Sequence, residues 1–154
     1  METKSLTVSF LVNETPQEVF NAVNNVTGWW TENLKGKSKE LNDEFEVQFG
    51  DVHYSKQKLV TVEPNQKVVW LVTDSRLNFI KDKTEWTNTK IVFEIFKEGN
   101  KTGLRFTHEG LVPQIECFSA CSGAWTDYII NSLEPLIETG KGNPTKKEKA
   151  INKA

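Results

Sequence analysis

The chain has 154 residues, enough for one domain with a sizeable core. Its 37% hydrophobic and 26% charged content is that of a soluble globular protein, and a net charge of -2 leaves no electrostatic footprint for nucleic acid. Arg76 and Arg105 are the only arginines, so no set of guanidinium groups is present for phosphate or base readout.

The N-terminus lacks the long apolar core of a secretory signal. Leu6, Val8, Phe10 and Val12 alternate with Ser5, Thr7 and Ser9, which predicts a first strand with one apolar face. Thr15-Pro16-Gln17-Glu18 then reads as a helix start. Thr15 caps, Pro16 fits the first helical position, and Glu18 completes a capping box. Val19, Phe20 and Val23 give this short helix its apolar face. A second short helical turn is expected at Thr27–Trp30, which carries paired tryptophans.

Lys35 to Asn42 is polar and reads as a loop. Phe45, Val47 and Phe49 alternate with polar residues and predict a strand, closed by a tight turn at Gly50-Asp51. A longer, more polar strand follows from Val52 to Val62, with His53 expected in solvent. Lys67 to Asp74 is apolar on both faces, so this strand is expected to be central. Ser75 to Asn88 reads as a long loop, with a short strand at Leu77 to Ile80. Thr89 to Lys97 is a strand with Ile91, Phe93 and Ile95 on one face. A hairpin loop at Gly99–Gly103 leads to a last strand with Leu104, Phe106 and His108 inward and Arg105 outward, paired with a carboxylate.

From Leu111 to Gly140, apolar or small residues recur at Ile115, Phe118, Cys121, Ser122, Trp125, Ile129, Leu133 and Leu136. This spacing predicts one helix of about 25 residues, roughly 37 Å long. Pro113 suits its first turn, Pro135 bends its last, and Gly140 closes it. Lys141 to Ala154 is Lys-rich without apolar period and reads as a flexible tail after a single domain of residues 1–140. No segment of about 18 apolar residues exists, so no membrane insertion is expected. Cys117 and Cys121 lie four apart on the same predicted helix, which is not a disulfide framework; a reduced, cytoplasmic protein is expected.

Consecutive strands with short turns imply an antiparallel meander. The expected class is α+β: a curved antiparallel sheet of about six or seven strands wrapped around a long C-terminal helix, with two short helices after the first strand. This layout resembles the START-like, or SRPBCC, superfamily and its helix-grip fold. Within it, the chain is most similar to the branch of the C-terminal domain of the activator of heat-shock protein 90 ATPase. Thr15–Phe20, Trp29-Trp30, Glu85–Lys90, Leu104–Leu111 and Gly123-Ala124-Trp125 carry the resemblance, in order, over roughly Leu6 to Gly140. It implies an apolar cavity between sheet and helix, and relatives that are ligand carriers, polyketide cyclases or co-chaperone domains.

The residues expected to line such a cavity are Trp30, Phe45, Val47, Phe49, Trp70, Phe93, Phe106, His108, Phe118, Ser122, Trp125 and Ile129. Small residues from Ser119 to Ala124 leave room on the helix, or let the sheet approach closely. His108 has no nameable partner as a general base, and no hydrolase, nucleotide or zinc-protease motif is present. No catalytic residue, cofactor or metal site is expected. The expected function is binding of a small hydrophobic or amphipathic ligand. The alternatives are a chaperone-associated interaction module, and a cyclase- or hydrolase-like enzyme using His108. Monomer and homodimer both remain open.

Overall fold

The computed structural model describes residues 5–113 and 115–146. A seven-stranded antiparallel sheet runs in the order β1-β7-β6-β5-β4-β3-β2. Its strands are β1 (Leu6–Val12), β2 (Leu34–Gly36), β3 (Glu44–Phe49), β4 (His53–Glu63), β5 (Lys67–Leu77), β6 (Lys90–Glu98) and β7 (Lys101–Glu109). The meander is regular from β2 to β7, and β1 returns to pair with β7, Leu6 opposite His108 and Val12 opposite Thr102. The doubly apolar β5 occupies the middle of the sheet, as its pattern predicts.

Between β1 and β2 lie α1 (Pro16–Asn24) and a 3-10 turn at Val26–Gly28. The capping box forms as expected: Thr15 Oγ1 accepts from the Glu18 N–H at 3.1 Å, and Glu18 Oε1 accepts from the Thr15 N–H at 3.0 Å. Val19 and Val23 of α1 join the main core with the inner faces of β3 to β7. On the outer face Arg105 meets Glu94 at 3.8 Å and lies over the Phe96 ring.

The C-terminal helical region departs from the predicted single helix. It begins at Phe118, not near Leu111, and has three parts: α2 (Phe118–Tyr128), a π-helical stretch at Ile129–Leu133, and α3 (Glu134–Thr139). Ahead of it the Ile115 N–H donates to the Val112 carbonyl at 3.1 Å and the Phe118 N–H to the Ile115 carbonyl at 3.2 Å. The π stretch lies directly ahead of Pro135, which sits in the first turn of α3. Pro135 has no N–H to offer the Asn131 carbonyl, and the Asn143 side-chain amide takes that carbonyl instead at 2.8 Å. Gly140 ends α3 with φ 84, the left-handed conformation that glycine adopts freely.

Three further expectations are corrected. The segment at 34–36, read as the edge of a loop, forms the short strand β2. No strand forms at Leu77 to Ile80 beyond the end of β5, because Asn78 turns back to bond Asp51 and Val52. The tail expected from Lys141 is tied down as far as Lys146. Thr145 bridges to Thr31 and exchanges backbone hydrogen bonds with Trp30 and Glu32. Residues 147–154, the rest of the expected tail, lie outside the described residues. No described helix is long and apolar enough to cross a membrane.

Candidate functional site

The inner space between sheet and helix is filled at its rear and open at its front. The rear is a tryptophan-rich stack. Trp29 packs on Trp70 at 6.3 Å with ring planes 18° apart, Trp30 on Trp70 at 5.8 Å, and Phe93 meets both Trp70 and Phe106. Trp29, Trp70, Phe45, Phe93, Phe106 and Ile129 are fully enclosed. Aromatic rings here act as the solid core that their size alone allows.

The front is a cavity of about 240 Å³. Trp30, Trp86 and Trp125 form its floor, with Trp86 and Trp125 nearly parallel, 12° apart. Phe49 and Tyr128 form one side and His53 another. Cys121, Ala120 and Ala124 of α2 give the wall its low profile, and the exposed Val52 and Phe79 sit at the rim. Among the described residues no aspartate, glutamate, lysine or arginine lines it. The cavity is therefore largely apolar with a few polar groups in its wall, among them the His53 ring and the Tyr128 phenol, a form usual for small-molecule sites.

Of the residues expected to line a cavity, the structure brings Trp30, Phe49 and Trp125 to it. Phe45, Val47, Trp70, Phe93, Phe106, His108 and Ile129 are buried around it instead. Phe118 packs partly buried against the core, and Ser122 turns its hydroxyl back to the Ser119 carbonyl. The sequence reading missed His53, Trp86, Phe79 and Tyr128. His53 was assigned to solvent because β4 is polar, yet it alternates with Ser55, Gln57 and Leu59 on the inner face, and that period was the available signal. Trp86 and Phe79 sit in the 78–89 loop, where no period places a side chain.

His108 is held at both ring nitrogens. The Trp125 indole N–H donates to Nδ1 at 3.0 Å. Nε2 bonds Thr89 Oγ1 at 2.8 Å, and that hydroxyl donates to the Trp86 carbonyl at 2.6 Å. Nδ1 accepts, so Nε2 carries the proton and the ring is neutral. Burial, with a smaller push from His53, lowers its pKa to about 3. Among the described residues no carboxylate is bonded to it. His108 thus ties Trp125 of the helix to the sheet and to the loop that carries Trp86, and it is fully occupied in doing so.

His53 is not solvated. It packs edge-on against Trp30, Phe49 and Trp86, with Trp86 at 4.6 Å, and Nε2 bonds Ser55 Oγ at 2.9 Å. Burial lowers its pKa to about 3, so it too is neutral near pH 7. Gln57 Nε2 continues the polar thread to Ser55 at 2.5 Å, while Gln57 Oε1 and the Trp86 and Trp70 indole nitrogens are buried without partners.

The loop that supplies Phe79 and Trp86 is fastened to the start of α2 by two carboxylates working in opposite directions. Glu85 accepts the Glu116 and Cys117 N–H groups at 2.7 and 3.0 Å. Glu116 accepts the Lys81 and Asp82 N–H groups at 3.3 and 2.7 Å. The Cys117 and Cys121 sulfurs, expected to be free thiols, are joined as a disulfide across one turn with their Cα atoms 5.5 Å apart. A separation of four residues, about one helical turn, brings the two side chains to the same face. No group of side chains able to hold a metal ion occurs among the described residues.

No known protein family and no curated protein matches the chain by sequence. Solved structures match its shape. The Aha1 dimer from Colwellia psychrerythraea is 20% identical with a TM-score of 0.72, covering 90% of this chain and 98% of that one. Protein SSP2350 from Staphylococcus saprophyticus is 15% identical with a TM-score of 0.67, covering 92% and 98%. DynU16, a protein of the dynemicin biosynthetic locus, is 18% identical with a TM-score of 0.66; the match covers 92% of this chain and 49% of DynU16. At these identities the likeness establishes the fold, and the chain has the helix-grip, START-like fold that its sequence resembles.

Proposed function

We propose that this protein binds a small apolar or amphipathic molecule in the cavity between the sheet and α2. The observation that carries the reading is the uncharged, aromatic-walled space of about 240 Å³. Its volume lies just under the usual range of about 300–1,000 Å³, which suits a fragment-sized occupant. The rim supports the reading, because exposed Val52 and Phe79 lower the cost of bringing an apolar molecule to the mouth. Binding without turnover is favoured, because His108 has both ring nitrogens committed and no carboxylate beside it.

The test is a fluorescence titration with fatty acids, flavonoids and polyketide mimics. Trp30, Trp86 and Trp125 all report on the cavity, so saturable quenching is expected with at least one class. Ala124→Phe, placed at the wall, is expected to abolish the quenching with the fold intact. No saturable response across the panel, with the wild-type protein folded, overturns the proposal.

A second reading rests on the likeness to the Aha1 dimer over nearly the whole chain. In it the protein works through its surface, as a homodimer or a chaperone-associated module. Sedimentation as a monomer, together with no change in a chaperone's ATPase rate, removes this reading and leaves the first untouched.

A further inference from the structure

We propose that the cavity selects uncharged ring compounds carrying one hydrogen-bonding group, and that His53 is the residue that reads that group. The inference rests on the ligand-binding reading above and narrows it to a chemical class.

Charge is the first discriminator. The lining contains no lysine or arginine to meet a carboxylate and no aspartate or glutamate to meet an ammonium. Burying an unpaired charge costs far more than burying a hydroxyl or carbonyl that finds a partner. The two histidines nearest the space do not change this, since burial keeps both neutral near pH 7. His108 is walled behind Trp86 and Trp125 and has both ring nitrogens occupied.

His53 differs on both counts. It lines the cavity, is partly exposed there, and uses only Nε2, on Ser55 Oγ. Among the described residues Nδ1 has no hydrogen-bond partner. Packed edge-on against it is Trp86, which shares the cavity wall through its ring while its indole nitrogen is buried. One imidazole nitrogen with an unmet hydrogen bond, in a wall whose other side-chain hydroxyl, that of Tyr128, is engaged by Thr145, fits a guest with one hydroxyl or carbonyl. Much of the remaining wall is rings, from Trp30, Trp125, Phe49 and Tyr128, against which a flat ring packs well.

The experiment compares 2-naphthol, naphthalene and 2-naphthoate on the full chain at pH 7, following the tryptophan indole N–H signals by NMR. The expected order is naphthol tightest, naphthalene about five- to tenfold weaker for lack of one hydrogen bond, and naphthoate weaker than naphthol by tenfold or more. In His53→Phe the naphthol advantage over naphthalene is expected to vanish while naphthalene affinity holds. If that variant fails to fold, the wild-type order alone decides. Naphthoate binding as tightly as naphthol, or naphthalene matching it, overturns the inference while the binding reading stands. An unchanged naphthol preference in folded His53→Phe removes the role given to His53. No binding by any of the three overturns this inference, and the broader panel above then decides whether the binding reading falls with it.

Discussion

His108 shows how one side chain couples sheet, helix and loop. Of its partners Trp125 is buried and Thr89 half-buried, and replacing it with alanine leaves the indole N–H unpaired beside a void. We expect His108→Ala to lower the unfolding free energy by about 2–4 kcal/mol in urea titrations. A loss under about 0.5 kcal/mol contradicts the buried triad. The same ring sets a pH dependence. Unfolded, it titrates near 6.5; folded, burial lowers it to about 3. Between those values the unfolded chain binds a proton that the fold does not, so stability falls as pH drops below about 6.5 and is indifferent to this group above it. His53, lowered by burial to about 3, acts in the same direction, less strongly because it is partly open. One such group gives a slope of about 1.4 kcal/mol per pH unit. From pH 6.5 to 5.5, above the carboxylate range, the slope rises toward that limit and the unfolding free energy is expected to drop by about 1 kcal/mol for this group, and a flat profile excludes a neutral buried His108.

At the scale of the element, the sequence was most legible where the stabilising partner is local. Thr15 and Glu18 are three residues apart, so the start of α1 could be placed from the chain alone. The start of α2 could not. Cys117 offers no side-chain cap, and its N–H is satisfied by Glu85, thirty-two residues earlier. Apolar spacing continues upstream through Ile115, so periodicity overran the true boundary. The inner position of His53 was written in alternation but outweighed by polar composition. Trp86 lay in a loop, where only tertiary contacts place it. Because α2 depends on Glu85, and its Ser119, Ser122 and Gly123 are indifferent helix formers, Glu85→Ala is expected to act at a distance. Amide exchange should quicken at residues 115–121 and 79–86 but not in β6 or β7, with about 1–2 kcal/mol of stability lost. Exchange that quickens uniformly, or nowhere, shows that the two carboxylates do not fasten loop to helix. Glu85→Gln keeps one acceptor oxygen and should fall between.

For the whole molecule, the division of the interior into a filled rear and an open front makes stability and binding separable. The rear carries the fold: Phe93 is fully enclosed and touches Trp29, Trp70 and Phe106. Phe93→Ala is expected to cost about 3–5 kcal/mol, the usual penalty for emptying a packed aromatic site. The front is already empty, so little is lost by filling it. Ala120 lies at the wall, exposed toward the mouth, and a larger ring there enters space that no side chain occupies. Ala120→Phe should therefore leave the urea midpoint within about 0.5 kcal/mol of wild type while weakening 2-naphthol binding tenfold or more. A closed interior predicts the opposite pairing. There, an inserted ring strains the core by about 1–3 kcal/mol and no binding exists to be lost. Measuring both quantities on the one variant thus distinguishes a cavity held open by the fold from a shallow dent in a packed core.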